Sequence, residues 1–277
     1  VKIAIIPTTG GVDPYRGMEV ARELGVEGVH IGAFGALGLA DKTSAERKEV
    51  LRRIREYGLE VSALIAWGGE VDLGEEKDLR KHIATAKRVN EAAADVSGGI
   101  WMAHVGIMPE DRSSPRWARF RDALGEIAAH GTSIGATLAV ETGPEPPPIV
   151  RAMIEEVNSP GLRVNFDPAN LLLWPPHIAK ARGVPFNYEA AMRAFDPVQG
   201  LRTLIPYVVH VHAKDSVLNP DGSCEEVPLG SGMTNWPVLH SIFREHGYSG
   251  YYAIEREVGA DAMGDVRRAV EYLRKLG

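Results

Sequence analysis

The nine residues Tyr207 to Asp215 read Tyr-Val-Val-His-Val-His-Ala-Lys-Asp, an apolar run that turns polar at every second position. In an extended chain alternate side chains face opposite ways. His210, His212 and Lys214 therefore share one face, and Val209, Val211 and Ala213 the other. Two imidazoles and an ammonium on one buried strand cost several kcal/mol unless something engages them. A divalent metal ion and its substrate would do so. Three further apolar segments end on a carboxylate: Leu138-Ala-Val-Glu141, Val164-Asn-Phe-Asp167 and Ala253-Ile-Glu255. Alternation lines Glu141 up with Ala139, Asp167 with Asn165, and Glu255 with Ala253 and Tyr251. Val140, Phe166 and Ile254 point the other way.

The elements that must position these groups alternate along the chain. Strand patterns fall at 2–8, 28–33, 60–66, 99–105, 136–141, 162–167, 207–213 and 250–255. Helical periodicity falls between and after them, around 15–24, 43–57, 75–94, 115–130, 147–157, 196–205, 235–246 and 261–276. Strict alternation implies parallel strands joined by crossover helices. Eight such units in about 250 residues predict a closed α/β (β/α)8 TIM barrel, here a single domain over 1–277. A doubly wound open sheet is the alternative, but no Gly-x-Gly-x-x-Gly turn follows the first strand. Between the sixth and seventh strands the chain is longer than the minimal unit. The excess, 174–195, is rich in Pro, Trp, His, Asn and Tyr and is expected to form a lid over the active face.

At a barrel's C-terminal mouth the four strand ends each aim one Glu, Asp or His inward at the same level. Carboxylates crowded there repel one another in a low dielectric. One bound dication removes that penalty, and mixed oxygen and imidazole donors suit Mn²⁺, Mg²⁺, Zn²⁺ or Co²⁺, with Mn²⁺ the first expectation.

Composition narrows the classes. A net charge of −6 gives no electrostatic reason to expect nucleic acid or an anionic membrane as partner. The single cysteine, Cys224, excludes an intrachain disulfide and a thiolate cluster. No apolar run approaches the roughly 20 residues of a membrane span, and Val1 to Ile6 enters a strand-like segment directly. The expectation is a cytoplasmic protein acting on a small molecule, as a monomer or a homo-oligomer (dimer or tetramer).

Several motifs together carry a resemblance. Glu141-Thr-Gly-Pro-Glu145, Asn165-Phe-Asp-Pro-Ala-Asn170, His210-Val-His-Ala-Lys-Asp215, Gly230-x-Gly232…Asn235-Trp236 and Ile254-Glu-Arg-Glu257 look like the xylose-isomerase-like TIM-barrel superfamily, sugar phosphate isomerase/epimerase branch. The similarity includes His104-Val-Gly-Ile-Met-Pro109 and runs to the end of the chain. The resemblance implies a metal held by Glu141, Asp167, His212 and Glu255, with His210 one pleat deeper. It also implies proton abstraction next to a ketose carbonyl through a metal-stabilised enediolate, with Glu141 and Glu255 moving the proton on opposite faces. Two departures bear on substrate. Ketose 3-epimerases of this group have a histidine where this chain has Asn170 and an arginine where it has Leu218. The main alternative is a metal-dependent lyase or dehydratase acting on an oxidised sugar. An apurinic-endonuclease-type phosphodiesterase needs more histidine ligands and an electropositive groove, and a non-catalytic sugar-binding protein has no use for paired glutamates.

Expected substrate contacts are His104, Asn170, His210, Lys214 and Trp67. His104 has a core reading as well, and Trp67 could cap the barrel instead of packing on a sugar. Lys214 either reaches substrate or neutralises a carboxylate. His30 reads as structural, Asp215 as a turn cap, Trp236 as helix-start packing and Cys224 as passive.

Overall fold

Short, buried strands rich in branched and small apolar side chains leave these segments one stable arrangement, a sheet covered by helices. The computed structural model describes residues 1–277. Eight parallel strands close into a barrel: β1 (Lys2–Ile5), β2 (Gly28–Gly32), β3 (Glu60–Ala66), β4 (Ile100–Ala103), β5 (Thr137–Glu141), β6 (Leu162–Phe166), β7 (Val208–Ala213) and β10 (Tyr251–Ile254), with β10 completing the ring against β1. Between β7 and β10 stands an antiparallel hairpin, β8 (Asp215–Leu218) and β9 (Cys224–Val227). The helices are α1 (Pro14–Leu24), α2 (Ser44–Glu56), α3 (Leu79–Val96), α4 (Pro115–Ile134), α5 (Pro147–Val157), α6 (Asn170–Ala181), α7 (Tyr188–Phe195), α8 (Pro197–Leu204), α9 (Trp236–Glu245) and α10 (Ala262–Leu276). All eight expected barrel strands and all eight expected helices are present, and only their ends move. No helix is long and apolar enough to cross a membrane.

Local chemistry fixes the helix ends. Asp13 accepts from the N–H groups of Tyr15 and Arg16 ahead of Pro14, and Thr43 and Glu46 form a reciprocal capping box at α2. Ser114 followed by Pro115 starts α4 in the same way. The apolar layer between strands and helices includes Trp101, Trp117, Phe120, Phe166, Trp236 and Phe243, all fully buried.

The structure departs from the sequence reading in two places. The long segment after β6 is not loop: 170–181 and 188–195 are helical, although α6 contains Pro175 and Pro176. Interior prolines each cost about 3 kcal/mol, which argues against a helix on propensity alone. Burial of Leu171, Leu172 and Pro175, together with Asp167 at the helix start, offsets that cost. The β8–β9 hairpin, which falls outside the eight predicted strands, packs against α6. Its turn, Asn219-Pro220-Asp221-Gly222, closes with Gly222 N–H donating to Asn219 O at 2.9 Å, and Gly222 has φ 84°.

Candidate metal centre and active site

Three carboxylates and one imidazole meet at the C-terminal mouth. Donor atoms of Glu141, Asp167, His212 and Glu255 all lie within 4.8 Å of one another, and every one of these residues is buried. His212 Nδ1 is 2.7 Å from Glu141 Oε1, 3.1 Å from Glu255 Oε2 and 3.7 Å from Asp167 Oδ2. Even so, His212 Nδ1 and Asp167 Oδ2 are buried without a hydrogen-bond partner. Buried polar atoms are rarely left so. Asp167 Oδ1, by contrast, accepts from the N–H groups of Ala169 and Asn170 at 2.8 and 3.1 Å. Three carboxylate oxygens and one imidazole nitrogen are a donor set for a dication, so the residues present fit one.

The four do not share a level on the hydrogen-bond ladder, contrary to the sequence reading. Glu141 pairs with Asn165, Asn165 with His210, and His212 with Ala253. Asp167 and His212 are therefore one pleat above Glu141, and Glu255 one pleat above them. A barrel of this kind shifts about one residue per strand as its strands tilt. That tilt brings the staggered residues to one height along the barrel axis. The β6–β7 register also slips between Val164 and Asn165, and Val209, assigned to the outer face, packs against the inner group of Ile6, Ile65, Met102 and Ala139.

Supporting hydrogen bonds hold the quartet. Thr142 Oγ1 donates to Asp167 O at 2.9 Å and accepts from Asp167 N–H at 2.8 Å, which locks the ends of β5 and β6 together. His30, read as structural, buttresses His212 across the barrel. Its Nδ1 lies 2.9 Å from Ala63 O and its Nε2 3.0 Å from His212 Nε2. The carbonyl can only accept, so Nδ1 of His30 carries the hydrogen and Nε2 accepts from His212 Nε2–H. His212 is then obliged to turn its Nδ1 towards the carboxylates. Outer partners of this kind are typically worth 10–100-fold in metal affinity. His30→Leu should weaken any divalent-metal binding at the quartet by about that factor, and His30→Gln, which keeps an accepting oxygen, by less. A chelator-competition titration giving wild-type affinity for His30→Leu would remove this role.

Charge is balanced unevenly across the site. Burial raises a carboxylate's pKa, but His104 and His212 draw Glu141 well below the usual range. Glu255, opposed by burial in the same way, falls to about 2 beside His212 and Lys214. Asp167 goes the other way, pushed up to about 6 chiefly by burial, with Glu141 and Glu255 adding to the effect. Burial opposes a charged Lys214, yet Glu255, Asp167 and Glu257 hold its pKa well above the lysine range.

A cavity of about 380 Å³ opens onto the quartet, lined by His104, Asn170, Lys214 and Trp67 among the expected contacts. His104 Nε2 is 2.9 Å from Glu141 Oε2, and Asn170 Nδ2 donates to Glu141 Oε1 at 3.4 Å. Lys214 Nζ lies 3.1 Å from Glu255 Oε2 and also pairs with Glu257. Trp67 is 40% exposed at the rim. His210 is the correction: it is fully buried below the quartet, with Nδ1 2.8 Å from Asn165 Oδ1 and Nε2 3.2 Å from Ser62 Oγ. It lines a cleft at the opposite end of the barrel, beside Ser62 and Tyr251, and does not reach the cavity.

Sequence reasoning passed over several neighbours. Leu173, Trp174 and His177 of α6 line the cavity, as does Glu257. Trp174 lies so close to Gly143 that a Cβ there would sit 2.6 Å from the indole, which gives Gly143 in the Glu141-Thr-Gly-Pro-Glu145 motif its reason. Buried Glu145 accepts from Met108 N–H at 2.7 Å, tying the loop after β4 to the loop after β5, and burial raises its pKa to about 7.

Comparison with known proteins agrees with this architecture. The family model described as xylose isomerase-like TIM barrel matches residues 18–276. L-ribulose-5-phosphate 3-epimerase UlaE of Escherichia coli O157:H7 is 23% identical over 270 residues, covering 93% of this chain and 87% of that protein. The crystal structure of a xylose isomerase domain protein from Planctomyces limnophilus superposes with a TM-score of 0.79 at 26% identity, covering 99% of this chain and 95% of that one. A 3-keto-D-glucoside 4-epimerase from E. coli, YcjR, in its apo form, shares the fold with a TM-score of 0.71 at 17% identity, covering 99% and 100% of the two chains. With nearly its whole length matched by the family model, the chain belongs to the xylose isomerase-like TIM-barrel family.

Proposed function

We propose that this protein is a divalent-metal-dependent epimerase or isomerase that moves a proton on a carbon next to the carbonyl of a ketose or keto-sugar. One observation carries the reading. Glu141 and Glu255 flank the same cavity, and each has its own proton-bearing neighbour, His104 for Glu141 and Lys214 for Glu255. Two carboxylates so placed can take a proton from one face of a substrate and return it to the other. A divalent ion bound by Glu141, Asp167, His212 and Glu255 would supply the positive charge that stabilises an enediolate.

The chain's own residues do the rest. Glu141 and Glu255 sit in the ionised form a base requires. Ile65, Met102 and Trp174 give the cavity apolar walls, and the segment 174–195 acts as the lid that keeps water from the reacting carbon. The relatives' names fit this chemistry: carbon 3 of a 2-ketose and carbon 4 of a 3-keto-glucoside both adjoin the carbonyl.

The test is proton exchange. Mn²⁺-loaded protein is incubated in D₂O with a panel of ketoses and keto-glycosides, and their C–H signals are followed by NMR. Loss of the signal beside the carbonyl is expected for at least one sugar. A metal-loaded protein that exchanges no proton on any of them would overturn the proposal.

A further inference from the structure

Two backbone cradles just past the ends of β6 and β7 each hold a carboxylate of the chain itself. The glycine-rich loop after β9 gives its N–H groups to Asp215. Gly230 and Gly232 donate to Oδ2 at 3.0 Å each. The N–H and hydroxyl of Thr234 donate to Oδ1 at 3.3 and 2.8 Å. A Cβ at Gly232 would run into that carboxylate, so the loop is shaped around it. At the start of α6 the first N–H groups are likewise taken by Asp167.

Side-chain cations are committed in the same way. No arginine lines the cavity, and its one lysine, Lys214, is paired with Glu255 and Glu257. Arg256 turns away to Glu226 at 2.8 Å and Asp265 at 2.9 Å. His104 Nε2 is engaged by Glu141, while its Nδ1 has no partner. Even with a dication in the quartet, that ion and Lys214 face the carboxylates of Glu141, Asp167, Glu255 and Glu257, so the positive charge of the chamber is already met by carboxylates. A phosphate ester brings a further charge of about −1.5 to −2, and no arginine or unpaired lysine lines the cavity to receive it. The rest of the wall sets Asn170 and His177 beside the apolar Ile65, Met102, Leu173, Trp67 and Trp174. Such surfaces match the C–H faces of a sugar.

From this arrangement we infer that the cavity selects an uncharged keto-sugar and discriminates against phosphate esters and carboxylates, a choice that rests on the enolisation reading above. The preference is opposite to that in the name of the L-ribulose-5-phosphate 3-epimerase relatives. It also disfavours the oxidised, acidic sugars of the lyase alternative.

The experiment compares matched pairs on the Mn²⁺-loaded wild-type protein: free 2-ketoses, including L-ribulose, against their terminal phosphates, and D-fructose against D-fructuronate. Binding is measured by calorimetry and turnover by deuterium exchange. Free sugars are expected to bind at least about 10-fold tighter and to exchange with at least about 100-fold higher kcat/KM. Equal or tighter binding of the charged partner, or competition by inorganic phosphate, would overturn the inference while exchange on either sugar upheld the proposed reaction. Tighter binding of free sugars without exchange on any would leave this inference standing and remove the reaction. Binding of no sugar, charged or free, would remove both.

Discussion

Glu141→Gln and Glu255→Gln should each slow epimerisation beside the ketose carbonyl by about 10²–10⁴-fold, the range for losing a positioned acid–base group. Glutamine keeps an oxygen donor at nearly the same position, so each variant should still take up metal at raised metal concentration. The loss should persist at saturating metal and fall on kcat more than on KM. The two variants should also differ in outcome. With one face disabled, a sugar can lose its proton to the remaining glutamate and regain it only on the same side, so washout without inversion is expected from one variant and little of either from the other. Stopped exchange assays with quantified metal content read both effects. Wild-type exchange in both variants would mean that neither carboxylate is a base.

Asp167→Ala should abolish the stabilisation that metal gives the fold. A ligand present at 1,000 times its Kd and bound only by the native state adds about 4.1 kcal/mol. At 2–4 °C per kcal/mol for a domain somewhat smaller than this one, Mn²⁺ should raise the melting temperature of the wild-type protein by on the order of 10 °C. EDTA should reverse the rise. In Asp167→Ala the shift should vanish, because Asp167 Oδ2 is, with His212 Nδ1, one of the two candidate ligand atoms that no hydrogen bond engages. In the metal-free form, relief of repulsion with Glu141 and Glu255 is set against loss of the two N–H bonds that Asp167 Oδ1 accepts at the start of α6, so the Mn²⁺-dependent shift, not the metal-free melting temperature, is the readout. Scanning calorimetry of the two proteins with Mn²⁺ and with EDTA decides the matter. An undiminished Mn²⁺ shift in the variant would place the ion elsewhere.

Much of this site was legible before any coordinates. Period-two alternation put Glu141, Asp167, His212 and Glu255 on inward faces, and strict β–α alternation closed those faces into a ring. The level at which they meet was not legible, since it depends on strand tilt and on the slip between β6 and β7, neither of which leaves a trace in composition. Helix α6 was hidden by Pro175 and Pro176, whose local cost is outweighed only by burial that the sequence does not display. The β8–β9 hairpin did carry a signal, Asn219-Pro-Asp-Gly222, but its strands are short. The resemblance sets His210 one pleat deeper, and that depth is what keeps it from substrate, since the cavity floor lies one pleat above it. His30 shows the opposite limit. Its neighbours in sequence are apolar and its partner His212 is 182 residues away, so only the closed ring reveals that the two touch.

That contact bears on how the chain comes to be competent at all. All four candidate ligands come from the half of the chain beginning at β5, and a nascent half-barrel of β5, β6, β7 and β10 would already bring them near one another. The imidazole that pins His212 arrives from β2, which joins the others only through β1 on one side and β3 on the other. Until the ring closes, His212 is free to present either nitrogen or to flip towards solvent. Closure of the barrel is thus the event that gives the quartet its directed lone pair, and a chain caught open would carry every ligand residue while lacking the site.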